Sequence, residues 1–253
     1  KYKGFYIDWA QKGSATGYDV EYSVNANMSG AVSKHLTANK PDTLTVSGLA
    51  GGKVYYVRVR SYTNVNGKVY YGAWSDVKSI KTANNDITKA SVSGISTKAF
   101  TGKAITQNVT VKVGNTVLKN GTDYTVSYSN NKNVGKATVK ITGKGKYGGV
   151  ITKTFKINPA KQEIQKLTAK SKAFFVDWAQ KGSATGYEIQ YATNSKFTGA
   201  KKVTITNNKT DKTTVSKLSA NKKYYVRVRS YTTVGGTKYY GAWSAVKNVT
   251  TKK

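Results

Sequence analysis

The chain has no cysteine, one methionine, one histidine and only two prolines in 253 residues. Without cysteine there are no disulfides and no thiolate metal sites, so apolar cores must hold the fold. The lone histidine, His35, sits in a lysine-rich stretch and reads as a plain exposed loop residue. A His–metal cluster or a Ser-His-Asp triad would have to be built on it alone. Eleven acidic residues are scattered along the chain, with no Asp-x-Asp-x-Asp calcium loop. A carboxylate pair for glycoside chemistry needs two acids across one cleft, which small sandwiches rarely offer. No Walker loop, dinucleotide fingerprint or Gly-x-Ser-x-Gly elbow appears. Ser129-Asn130-Asn131-Lys132 has Ser-x-x-Lys spacing, but it follows a strand-like run and its partner motifs are missing. No apolar run approaches a membrane span, and no signal-peptide pattern opens the chain. The reading is therefore a non-enzyme with no catalytic, cofactor-binding or metal residues and no membrane insertion.

Acidic charge is scarce and basic charge abundant: 42 basic against 11 acidic residues, net +31. Such a surface attracts polyanions, or serves only to keep the chain solvated. The basic residues are 38 lysines and four arginines. Lysine is a hydrated point charge, whereas arginine forms the planar fork of specific phosphate recognition. Diffuse attraction is thus favoured over a phosphate clamp. No recognition helix or RNP-type motif is present, so any nucleic-acid affinity is non-specific.

The strongest positive signal is self-similarity. Residues 8–18, DWAQKGSATGY, recur at 177–187; YYVRVRSY at 55–62 recurs at 224–231; YYGAW at 70–74 recurs at 239–243. Each landmark is displaced by 169 residues. Within both copies the pattern alternates with period two. Tyr55, Val57 and Val59 fall on one face; Tyr56, Arg58 and Arg60 fall on the other. That is the signature of antiparallel sheet with one wet face. Asn66-Gly67 between two such runs reads as a hairpin turn.

These landmarks resemble a fibronectin type III domain. Trp9 and Trp178 stand where that family keeps its strand-B core tryptophan. Leu49 to Tyr55, and Leu218 to Tyr224, resemble its corner before strand F, where a tyrosine hydroxyl bonds back to nearby backbone. The resemblance covers most of 1–83 and 160–253. Lys1 aligns with Lys170, so the first copy lacks most of strand A, and the chain is expected to continue upstream into further domains. The segment 86–158 has its own strands around Val109–Val113, Tyr124–Tyr128 and Ala137–Ile141. Its pattern Phe100-x-Gly102, Gly121-Thr122-Asp123-Tyr124, Gly143 to Gly149 and Phe155-Lys156-Ile157 resembles bacterial Ig-like repeats of exported Gram-positive proteins. The expectation is all-β: three tandem β-sandwich modules in line, 1–83, 86–158 and 160–253.

Two groups of residues are candidates for binding. Lysines crowd at Lys144 and Lys146, Lys201 and Lys202, and Lys222 and Lys223, with no acid near them in sequence. Lys144 and Lys146, spaced by glycines, also fit an anion nest or an ordinary turn. The arginines Arg58, Arg60, Arg227 and Arg229 share the outward face of strand F. Strand C should present Asp19 and Glu21, or Glu188 and Gln190, beside them. Trp74 and Trp243, expected on strand G, complete an arrangement similar to the tryptophan–arginine stack of cytokine-receptor fibronectin-type domains. A structural ladder is favoured over an aromatic–basic ligand platform. The functional expectation is a monomeric, rod-like stalk or adhesion segment of a secreted or cell-surface bacterial protein. The alternative is a polymer-binding module for a glycan or polyanion, drawn from the cell wall or from a host.

Overall fold

A computed structural model describes residues 1–40 and 42–253, all in strands, turns and irregular segments, with no helix among them. No helix in the described residues is therefore long and apolar enough to cross a membrane. The first repeat contains β1 (Gly4–Asp8), β2 (Gly17–Ser23), β3 (Val32–Leu36), β4 (Thr43–Ser47), β5 (Val54–Val65), β6 (Lys68–Tyr71) and β7 (Lys78–Lys81). They form two sheets, β1-β4 and β3-β2-β5-β6 with β7 also on β5. Period-two patterning explains the layering. Val20, Tyr22, Tyr55 and Val57 point inward onto Phe5 and Val46 and make the core. Asn66 and Gly67 both adopt positive φ, +48° and +85°, and close the β5–β6 hairpin.

The middle segment supplies β8 (Asn85–Asp86), β9 (Ser91–Ser93), β10 (Lys98–Ala99), β11 (Thr110–Val113), β12 (Thr116–Val117), β13 (Tyr124–Ser129), β14 (Gly135–Gly143), β15 (Tyr147–Gly148) and β16 (Val150–Asn158). Its sheets are β10-β16-β14-β13, β12-β11-β9 and the short pair β15-β8. Val111, Val139, Ile141 and Ile157 are fully buried. The alternation of β14 (buried Ala137, Val139, Ile141 against outward Lys136 and Lys140) again follows from period two.

The second repeat contains β17 (Ile164–Lys170), β18 (Ala173–Trp178), β19 (Gly186–Ala192), β20 (Lys201–Ile205), β21 (Lys212–Val215), β22 (Lys223–Val234), β23 (Thr237–Tyr240) and β24 (Lys247–Thr250). Its sheets are β17-β18-β21 and β20-β19-β22-β23, with β24 also on β22. Except for β17, the pairing repeats that of the first copy strand for strand. Phe174, Tyr191 and Tyr224 cluster through two edge-on contacts and one tilted one, as do Phe5, Tyr22 and Tyr55. The glycine before Tyr18 and Tyr187 is required by contact. A Cβ on Gly17 or Gly186 would fall 1.9 or 2.0 Å from the carbonyl oxygen of Leu36 or Ile205. The corner tyrosines behave alike: the Tyr55 and Tyr224 hydroxyls accept from the Ala50 and Ser219 amides at 3.2 Å.

The chain is thus an all-β protein of tandem sandwich modules. By packing it groups into two compact units. One holds residues 1–93, 109–127 and 140–152, with the first core; the other holds 94–108, 128–139 and 153–253, with the second. Strands of the middle segment contribute to both.

Candidate functional site

Each repeat carries one chemically distinctive surface. On β5, Arg58 and Arg60 lie directly opposite Glu21 and Asp19 of β2. Arg58 donates to Glu21 Oε2 from Nε at 2.9 Å and Nη2 at 2.7 Å. Arg60 Nε donates to Asp19 Oδ2 at 3.0 Å. These bonds hold both guanidinium planes flat on the sheet, where aromatic rings cover them. Arg60 lies 3.8 Å from the Tyr71 ring centroid and 4.4 Å from that of Trp74, and Arg58 lies 4.4 Å from Trp74. The result is a continuous stack: Tyr71, Arg60, Trp74, Arg58.

The second repeat extends it by one ring. Tyr240, Arg229, Trp243, Arg227 and Phe197 stack at 3.9, 4.4, 4.7 and 4.1 Å. Arg227 Nε donates to Gln190 Oε1 at 2.7 Å, and Arg229 Nη2 to Glu188 Oε2 at 2.6 Å. Lys202 Nζ reaches the other Glu188 oxygen at 2.9 Å. Glu188 is only 2% exposed. Burial pushes its carboxyl up, but hydrogen bonds and charge from Lys202 and Arg229 outweigh that and hold it below the ordinary glutamate value. Burial, then the neighbouring Arg229 charge, lowers Arg227.

Residues 159–246 match the family profile described as the fibronectin type III domain. This stretch is a fibronectin type III domain. The crystal structure of the chicken CNTN1 FN1–FN3 domains is similar over 100% of this chain and 95% of that one, at 15% identity and a TM-score of 0.34. No curated protein sequence matches the chain.

Within the fibronectin type III domain, and in its first-repeat twin, the tryptophans of the stack do not sit on a regular strand. Trp74 and Trp243 lie in the extended stretches between β6 and β7 and between β23 and β24. Bonds at their flanks fix them: Gly72 N to Ser61 O and Ser75 N to Val59 O, with Gly241 to Ser230 and Ser244 to Val228 matching. His35 is exposed, as expected, but it is not in a loop. It lies on β3, its Nδ1 is 2.6 Å from Asp19 Oδ1, and its ring stacks on Tyr62 at 4.6 Å. The register that places His35 opposite Asp19 causes this.

The lysine candidates are dispersed. Lys144 Nζ donates to the Gly121 carbonyl at 2.7 Å, tying its turn to the one before β13. Lys146 lies 5.4 Å from the Tyr147 ring and its carbonyl accepts from the Asn84 and Asn85 amides. Lys201 is exposed at the end of β20, whereas Lys202 is tied to Glu188. Lys222 and Lys223 are exposed at the start of β22, and Lys223 approaches Tyr225. Among the described residues no cluster of three or more His, Cys, Asp or Glu could hold a metal.

Sequence reading did not single out the exposed pair Tyr70 and Tyr71, 52% and 54% accessible. Tyr71 closes the Arg60 stack, and Lys68 lies 5.3 Å from the Tyr70 ring. The signal available was their place on an outer hairpin strand beside a turn.

Proposed function

We propose that this chain is a non-catalytic stalk or adhesion segment of a secreted or cell-surface bacterial protein. It is built from modules at 1–83, 86–158 and 160–253, and it spaces or presents other domains. Fibronectin type III domains are commonly spacers and adhesion modules. The observation that carries this reading is the closure of the arginine surface on itself in both repeats. All four guanidinium groups are held by a side chain on β2 or β19 and are stacked on rings. Groups so engaged stiffen a sheet; each cross-strand pair contributes about 0.2–1 kcal/mol. What remains outside is lysine, which attracts polyanions without selecting among them.

A second reading, a polymer-binding module for a glycan or polyanion, is favoured by the exposed Tyr70 and Tyr71 beside Lys68. Sugar faces stack on such rings. An array of cell-wall polymers, heparin-like glycans and DNA, read at low and at physiological salt, separates the two. The Debye length falls from about 30 Å at 0.01 M to about 8 Å at 0.15 M. The stalk reading expects broad binding at low salt that vanishes at physiological salt. One polymer retained while others of equal charge density are lost would replace it with the binding-module reading.

A further inference from the structure

Period two puts neighbouring residues of a strand on opposite faces. On β23, Tyr240 belongs to the arginine stack, so Tyr239 faces away from it. In the first repeat the matching residue, Tyr70, is 52% exposed. Tyr239 is partly covered, because the middle segment lies against its hairpin. A Cβ on Gly135, at the start of β14, would meet Val234 Cγ1 at 3.9 Å. Tyr239 thereby becomes one wall of a groove of about 450 Å³. Lys136 of β14, Thr154 and Lys156 of β16, and Ser96 and Thr97 before β10 supply the rest of its polar lining. All of them belong to the compact unit that holds residues 153–253.

The same alternation aims the two cations. Phe155 and Ile157 are buried, so Lys156 and Thr154 project outward; buried Ala137 does the same for Lys136. Lys136 and Lys156 stand on neighbouring strands. Neither makes an ion pair, hydrogen bond or ring contact among the described residues. No carboxylate is among the described residues that line the groove. Two like charges on one groove repel, and an anion between them offsets that repulsion. The hydroxyls of Thr97 and Thr154 are exposed and have no partner among the described residues either. Ser96 is fixed in place, its N and Oγ donating to Gln107 Oε1 at 2.8 and 3.3 Å.

We propose that this groove binds a short segment of an acidic saccharide, one whose sugar rings carry a carboxylate or a sulfate. The acid group sits between Lys136 and Lys156. The C–H face of the sugar ring lies on Tyr239, whose ring face is negative. The sugar hydroxyls bond to Thr97 and Thr154. A duplex nucleic acid offers phosphates but no open face for Tyr239, and a polyphosphate offers neither ring nor hydroxyl. The volume falls within the roughly 300–1,000 Å³ of small-ligand pockets, which favour such junctions and combine an aromatic wall with a few polar groups. The proposal rests on the polymer-binding reading and gives it a place and a ligand; an adhesion segment can carry such a site while spacing other domains.

The test is calorimetric titration of the full chain at physiological ionic strength. Four oligomers of equal length are compared: a uronic acid saccharide, a sulfated hexose saccharide, the neutral hexose saccharide and polyphosphate. Saturable one-to-one binding of at least one acidic saccharide is expected, about tenfold or more tighter than the neutral one or polyphosphate; which of the two binds identifies the acid group. Tyr239→Ala, Lys136→Gln and Lys156→Gln should each weaken it about tenfold, equivalent to about 1.4 kcal/mol. The two lysines are exposed, so their variants should keep the thermal unfolding of the parent chain. Tyr70→Ala and Lys201→Gln, outside the groove, should bind as the parent does. Equal binding of polyphosphate or of the neutral saccharide would overturn the proposal. Tight saccharide binding that survives all three groove variants would overturn it too, while leaving the polymer-binding reading in place. No binding by any of the four would remove both.

Discussion

Replacing Trp178 by alanine should cost the second repeat about 3–5 kcal/mol, the range for large-to-small changes at a buried aromatic. The ring is fully buried, meets Tyr187 at 5.3 Å, and lies in the same core cluster as Ile164, its partner on β17. Its removal therefore strands a cavity between packed sheets. Trp9 lies in the same eleven-residue sequence and meets Tyr18 at the same 5.3 Å. It is nonetheless only half-buried, and no described strand lies beside it as β17 lies beside Trp178. Less apolar area leaves water in that repeat, and solvent can fill the space left behind. Trp9→Ala should therefore cost roughly 1–3 kcal/mol. The pair is an internal control: same ring, same aromatic neighbour, different cover. Guanidinium unfolding followed by amide exchange in β2 and β19 reads each repeat separately. Equal costs at the two positions would refute the claim that the missing cover sets the difference. An unchanged second repeat in Trp178→Ala would refute the assignment of that ring to the core.

Three further outcomes are expected. A double-mutant cycle of Arg229→Ala and Trp243→Ala should show coupling of about 0.5–1 kcal/mol, since stacked groups are non-additive; additive effects would mean the stack contributes nothing. Glu188→Gln should destabilise the second repeat near neutral pH. Because the folded carboxyl is held below its ordinary value, its contribution is complete above the unfolded pKa of about 4.3 and fades as pH falls through the lower folded value. Unfolding curves of the two proteins should thus converge only in acid, and a gap that persists there would contradict this. For the proposed stalk, the radius of gyration from solution scattering should clearly exceed the roughly 18 Å of a compact globule of this length.

The layers of both repeats were legible because period two and turn residues are local signals. Tyr55 and Val57 inward with Arg58 and Arg60 outward follows from alternation alone. So does the pairing of Arg60 with Asp19, once the two strands are set side by side. What local reading missed depends on a third strand. His35 looked like a loop residue because β3 carries no apolar alternation, Val32-Ser33-Lys34-His35-Leu36, and is held by pairing with β2. Lys202 appeared unneutralised because Glu188 is 14 positions away in sequence, yet it lies diagonally across the β19–β20 pair. Trp74 was expected on a strand, but the segment after β6 makes only alternate bonds to β5 and runs irregularly to β7. The short parallel pair β10–β16 had no local signal either, since its partners lie far apart in the chain.

The spacing of the twin repeats also bears on how the chain is made. Strands β2 and β19, or β5 and β22, are nearly interchangeable in sequence, so each could pair in the other's sheet while both are unfolded. Neighbouring identical modules are prone to such exchange during folding. Here corresponding residues are 169 positions apart, which at about 5–20 residues per second of synthesis is a delay of roughly 8–34 s. All-β domains close in milliseconds to seconds. On those rates the first repeat has time to fold before its duplicate emerges, and the dissimilar middle segment lengthens that interval.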